Sequence, residues 1–175
     1  MDDDDQAKEI YAYFGLAIYF AQVMEQHAIN MIVIKRITGP KIKTVDQADN
    51  LWDDYDMSKR TFGVLVNEIK QLFDLTVEDE TELEEFKKLR NYIAHDYFRF
   101  NSDLFYNEDG KRRMIKDFIG FKEKAKKIDN MLTGYFKKYQ EHLGLTDDKV
   151  EEMMETMMKE AKTMTVDNNY KTIKK

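Results

Sequence analysis

The chain has 175 residues, the length of one domain, and 28 basic against 34 acidic residues give it a net charge of −6. Hydrophobic residues make up 42 % of it, too many for a disordered chain. It has no cysteine, which excludes disulfides, cysteine-based zinc sites and thiol nucleophiles and fits a cytoplasmic location. One proline and seven glycines are too few turn-formers for an all-β fold, so the composition predicts long helices.

The first predicted helix runs from about residue 5 to residue 37. Polar residues such as Gln22 and Glu25 interrupt its apolar sequence, which favours a buried helix over a membrane span, and we expect no membrane contact. Gly39, in a left-handed cap, and Pro40 are predicted to end it. Its apolar residues recur at spacings of three and four, typical of a helix packed on other helices: Ile10, Phe14, Ala17, Ala21, Met24, Ala28 and Met31.

The later elements follow from the same periodicity and from capping residues. In chain order they are a polar connection at 41–56, a helix from Ser58 to Asp74, a helix from Asp79 or Thr81 to Phe98, a loop at 101–110 with a turn at Asp109-Gly110, and a helix from Arg112 to Leu143 capped by Gly144. The sequence therefore predicts an all-α, up-and-down bundle of about five helices.

A methionine-rich amphipathic helix and a polar tail are predicted at 146–175, after a bundle at 1–145. One interpretation is that this helix packs on the bundle through an apolar stripe. The other is that it forms an adaptable docking surface for a partner, because methionine side chains deform easily. The stripe consists of Val150, Met153, Met157, Ala161 and Met164.

One segment carries residues suited to chemistry on a phosphate: Arg90, Asn91 and His95. The arginine fork fits phosphate oxygens, the histidine can transfer protons near neutral pH, and the asparagine can orient the imidazole or donate to an oxyanion. An arginine followed five positions later by a histidine arises by chance roughly one time in ten in such a chain. On spacing alone, an exposed polar helix face remains an open interpretation.

Helix geometry separates the two sides of this segment. At 100° per residue, the core-facing arc holds Phe86, Leu89, Ile93, Tyr97 and Phe100. His95 falls on the opposite side together with Lys88 and Arg99, which we expect to bind substrate. Arg90 and His95 lie about 140° apart on a straight helix, so a cleft or a second copy across a two-fold axis is needed to bring such groups together.

Residues 90–98 resemble the signature of the HEPN superfamily, in which an arginine and a polar residue precede a histidine. Arg90, Asn91 and His95 match its three positions, and Tyr97 matches the HEPN toxins of HEPN/MNT toxin–antitoxin systems. The resemblance implies a helical bundle that forms a homodimer and cleaves RNA without metal or cofactor, leaving a 2′,3′-cyclic phosphate.

The resemblance also implies a role for each matched residue. His95 would be the acid or base, Arg90 would stabilise the phosphorane, and Asn91 would orient His95. Tyr97 would line the site or be modified with AMP by an antitoxin. We therefore predict a metal-independent endoribonuclease, a toxin or anti-phage effector, with a second copy, RNA or a nucleotide, and an antitoxin or regulatory protein as partners. The alternatives are a catalytically inactive HEPN-like interaction or regulatory protein and a nucleotide-binding module.

Two further features bear on these alternatives. Residues 87–138 hold 14 bases and 7 acids, a net charge of +7 that could attract a polyanion or be a solvated helix face. The three histidines are scattered, so we expect no zinc site, and His27 is predicted to be a buried, hydrogen-bonded histidine of the bundle.

Overall fold

A computed structural model describes residues 3–57, 60–144, 146, 148–149, 151–152, 155–156 and 158–159. This part of the chain contains helices and turns but no strand, which confirms the all-α prediction. None of its helices is both long and apolar enough to cross a membrane. The elements are α1 Asp3–Ile37, α2 Val45–Met57, α3 Phe62–Leu72, α4 Val77–Asn91, a π-helical turn Tyr92–Asp96, α5 Tyr97–Asn101, a 3₁₀ turn Ser102–Tyr106 and α6 Glu108–His142.

The chain forms two compact units, Met1–Tyr135 and Phe136–Lys175, with the division inside α6. In the second unit, Gly144 takes a positive φ of 73°, as expected of a residue that caps a helix. The apolar stripe predicted for the last helix lies outside the described residues. The predicted boundary between residues 145 and 146 stays a prediction.

The core of the first unit is built from the predicted helical stripes. In α1, six of the seven predicted stripe residues are buried, and only Phe14 is half-buried. Phe86 of α4 lies between two other rings, 5.9 Å from Phe62 of α3 and 5.5 Å from Phe121 of α6, measured between centroids. These contacts fix α4 between α3 and α6 and so position its carboxyl end.

Helix α2 occupies most of the segment predicted to be a polar connection, and that prediction was wrong. Of the α2 residues whose burial is described, only Tyr55 is buried, at 2 % exposure. Apolar residues of α2 recur at the spacings of three and four that indicate a helix: Val45, Ala48, Leu51, Trp52 and Tyr55. Acidic and amide residues outnumber them, and the connection was predicted from this polarity.

Several helix ends also differ from the prediction. Helix α3 begins after Thr61, and Ser58 lies outside the described residues. Helix α4 begins earlier than predicted, because the Thr76 hydroxyl accepts a 3.1 Å hydrogen bond from the Asp79 backbone N–H and caps the helix. At the end of α1, Gly39 is not left-handed; instead the Thr38 hydroxyl donates a 2.8 Å bond to the carbonyl of Ile34.

The predicted turn at Asp109-Gly110 is the first turn of α6. The Gly110 N–H donates a 2.7 Å bond to the side-chain oxygen of Asn107, which caps the helix. A Cβ atom on Gly110 would lie 2.2 Å from the carbonyl oxygen of Leu104. Glycine is therefore required here by the close approach of two backbone segments.

Candidate functional site

A π-helical turn, Tyr92–Asp96, directly follows α4 and contains His95. Bonding from i to i+5 turns the chain by roughly 85° per residue instead of 100°. Three of the five steps from Arg90 to His95 lie within this turn, so the angle between the two side chains falls from about 140° to roughly 95°. The turn therefore brings both side chains towards one side of the helix, which a straight α-helix does not do.

The same turn changes which residues face the core after it. Ile93 and Tyr97 are buried as predicted, but Phe100 is 61 % exposed, so its predicted core position was wrong. One extra residue in a helical turn delays the rotation of everything that follows. Asn101 joins the two ends of the turn, because its side-chain amide donates 2.5 Å to the hydroxyl of Tyr92 and 2.7 Å to the carbonyl of Tyr97.

Arg90, Asn91 and His95 line one open groove with a volume of about 630 Å³. The first turn of α3 and the two residues before it also line the groove, and Glu25 of α1 contributes a carboxylate. The groove's other cationic side chains are Arg60 and Lys87. The structure thus brings together the three residues predicted to be catalytic.

Arg90 is the most constrained of these residues. Its side chain is 16 % exposed, and its Nη2 forms an ion pair with the carboxylate of Glu25. Its Nη1 donates 3.2 Å to the side-chain oxygen of Asn91, and its guanidinium lies 5.9 Å from the ring centroid of Phe62. Burial lowers the pKa of Arg90, but the guanidinium stays cationic because its ordinary pKa lies so far above neutrality.

His95 and Asn91 are both exposed. The Asn91 amide is engaged with Arg90, and within the described residues no hydrogen bond joins it to His95. The predicted pairing of Asn91 with His95 is therefore not the arrangement of this structure. An imidazole without a partner in the described chain is free to exchange a proton with a bound substrate.

Three residues predicted to bind substrate or to be modified do not line the groove: Tyr97, Lys88 and Arg99. Tyr97 is 2 % exposed, and its hydroxyl donates 2.8 Å to the carboxylate of Asp117. Burial and this bond raise the pKa of Tyr97, which keeps it a neutral core residue. Lys88 is exposed, and Arg99 pairs with Asp96 at 3.0 Å. Sequence spacing placed these residues near the motif, but packing directs them elsewhere.

Arg60 is a groove residue that the sequence did not reveal. Its guanidinium carbon lies 3.7 Å from the centroid of the Tyr55 ring, and its Nη2 binds Asp54 at 2.8 Å. The Tyr55 hydroxyl donates 2.5 Å to Glu68, which also binds Arg36 at 2.7 Å. Because Arg60 lies 30 positions before Arg90, only the tertiary fold brings the two together.

Tyr55 should make the stability of the protein depend on alkaline pH. Burial, then the bond to Glu68, raises its pKa from 10.0 to about 12. The unfolded chain releases this proton first, so the stabilisation is complete below pH 10 and is lost as the pH rises to 12. We expect the free energy of unfolding to fall by up to about 1.4 kcal/mol per pH unit in that window.

Urea unfolding of wild type and Tyr55→Phe between pH 10 and 12 measures this slope. In Tyr55→Phe the free energy of unfolding should still vary with pH because of other groups, such as Tyr97. The contribution of Tyr55 to this pH dependence should be absent. Equal slopes in the two proteins would contradict the raised pKa.

The basic segment does not form one continuous cationic surface. On α6, Lys124 binds Glu85 at 3.2 Å and Lys127 binds Glu82 at 2.5 Å, so these lysines neutralise the acidic face of α4. His27 bonds to Asp129 at 2.6 Å, as its predicted hydrogen bonding requires, but it is half-buried and not buried.

Comparisons of the chain with protein-family models, curated proteins and solved structures found no match. Its functional interpretation therefore rests on the groove and on the motif residues. The groove holds a guanidinium, an amide and an imidazole that has no hydrogen-bond partner in the described part of the chain, a set able to bind a phosphodiester and to move a proton.

Proposed function

We propose that this protein is a metal-independent endoribonuclease of the HEPN type that acts as a dimer. The observation that carries the proposal is the shared groove of Arg90, Asn91 and His95, with Arg60 and Lys87 as further cations. A toxin or anti-phage effector, controlled by an antitoxin or regulatory protein, is the setting that the resemblance implies.

The reaction is attack of an RNA 2′-oxygen on the adjacent phosphorus. A base removes the 2′-hydroxyl proton, the new O–P bond forms, and the bond from phosphorus to the 5′-oxygen breaks. An acid protonates the departing 5′-oxygen, so the products carry a 2′,3′-cyclic phosphate and a 5′-hydroxyl. His95 exchanges protons, and Arg90 stabilises the negative charge that builds on the phosphorane. Asn91 holds Arg90 through their 3.2 Å bond.

The dimer follows from the number of proton transfers. The reaction needs a base and an acid at the same phosphate, whereas each groove holds one histidine. A second copy related by a two-fold axis places a second His95 opposite the first, because such an interface uses the same surface of both chains.

The ion pair between Glu25 and Arg90 favours a second candidate, a catalytically inactive HEPN-like interaction or regulatory protein. A carboxylate on the guanidinium competes with a phosphate for the same N–H groups. In the ribonuclease, the substrate phosphate must displace Glu25 or share the guanidinium with it.

A labelled RNA pool incubated with the full-length protein in EDTA tests the proposal. We expect cleavage that persists in EDTA, products with 2′,3′-cyclic phosphate ends, and a dimer by light scattering. A folded dimer that does not cleave RNA would favour the second candidate. Cleavage that requires added metal would contradict the proposal.

A further inference from the structure

Arg60 shares a groove with the motif residues but belongs to a different part of the chain. It directly precedes Thr61, which caps α3, whereas Arg90 and Asn91 end α4 and His95 lies in the turn after it. A ligand that extends along the groove from His95 and Arg90 can therefore reach Arg60 as well.

Arg60 is held in place before any ligand binds. Its guanidinium stacks on the ring of Tyr55 at 3.7 Å, and the Tyr55 hydroxyl is fixed by Glu68 at 2.5 Å. An arginine fixed by stacking loses little side-chain freedom when it binds a phosphate. The Asp54 carboxylate lies 2.8 Å from Nη2 of Arg60.

Both groove arginines have an N–H group without an acceptor among the described residues. These groups are Nη1 of Arg60 and Nε of Arg90, and both nitrogens are buried. A buried donor without an acceptor is costly, so an oxygen-rich ligand that reaches it gains binding energy.

From this arrangement we propose that Arg60 is a second phosphate-binding residue of the groove and contacts the backbone of the bound RNA. The inference rests on the proposed ribonuclease function, and it assigns RNA contact to a residue outside the motif. A guanidinium fork matches the oxygens of a phosphodiester, and the sugar–phosphate backbone offers one such group per nucleotide. Arg60 would then hold the strand while Arg90 and His95 act on one bond.

The test is binding of a short labelled RNA of mixed sequence with fluorine in place of every 2′-hydroxyl, which cannot be cleaved by this reaction. Affinity is measured against salt concentration for wild type, Arg60→Gln and Arg60→Lys. We expect Arg60→Gln to weaken binding roughly tenfold and to reduce the salt slope by about 0.7, the loss of one phosphate contact. Arg60→Lys should keep the slope, because it keeps the charge.

Arg36→Gln is the matched control. Arg36 also contacts the Tyr55 ring, at 5.8 Å, and binds Glu68, but it does not line the groove. Its substitution should leave the salt slope unchanged. An equal loss in Arg36→Gln and Arg60→Gln would overturn the inference, because Arg60 would then act only through the packing around Tyr55. An unchanged slope in Arg60→Gln, or no salt-dependent binding by wild type, would overturn it too.

The ribonuclease proposal fails separately. It is tested with natural RNA. A wild type that binds this RNA but does not cleave it would contradict the ribonuclease proposal, whatever the salt dependence of binding by Arg60→Gln. If wild type cleaves, Arg60→Gln should raise KM and leave kcat unchanged, as expected of a residue that binds substrate and does not take part in the chemistry.

Discussion

Replacing His95 with alanine should lower the rate of RNA cleavage by a factor of about 10² to 10⁴, the usual contribution of a positioned general acid or base. The free energy of unfolding should change by less than about 0.5 kcal/mol, because the side chain is exposed and has no hydrogen-bond partner in the described chain. Single-turnover cleavage at saturating RNA, together with urea unfolding, measures both effects on the same preparations.

His142→Ala is the control for this variant. His142 is also an exposed histidine, in the last turn of α6, and it is not part of the groove. It should retain full cleavage. If both variants retain it, His95 has no part in the chemistry or the activity comes from a contaminant. If both lose it, the effect is not specific to the groove.

The fold was predictable where burial leaves a helical period. The apolar stripe of α1 runs from Ile10 to Met31 at spacings of three and four residues, and six of its seven residues are buried. The apolar stripe of α2 is shorter and lies among many acidic residues, and among the α2 side chains whose burial is described only that of Tyr55 is buried. The ring of Tyr55 contacts Arg36 and Arg60, and its hydroxyl donates to Glu68, which are tertiary contacts that the local sequence does not indicate.

The groove was predictable in its residue types but not in its geometry. Arg90, Asn91 and His95 stand out because their side chains suit phosphate chemistry. Arg90 and His95 lie on one side of the helix because of the π-helical turn, which adds one residue to a turn of the helix. Helix propensity does not indicate where such a turn occurs. Arg60 and Glu25 reach the groove through tertiary packing alone, so no spacing along the chain could have indicated them.

A pair of phenylalanine substitutions tests the packing that holds the motif in place. Phe86→Ala should lower the free energy of unfolding by about 3–5 kcal/mol. Phe86 is fully buried and contacts the rings of Phe62 and Phe121, so alanine leaves a cavity between three helices. Urea unfolding curves, with their slopes compared to that of wild type, measure the loss.

Phe100→Ala is the matched substitution after the π-helical turn. A straight α-helix places Phe100 on the same core arc as Phe86, whereas the turn leaves it 61 % exposed. We therefore expect a loss of less than about 0.5 kcal/mol. A cost close to that of Phe86→Ala would mean that the helix continues without the turn. Arg90 and His95 would then lie about 140° apart, and a single groove could not hold both.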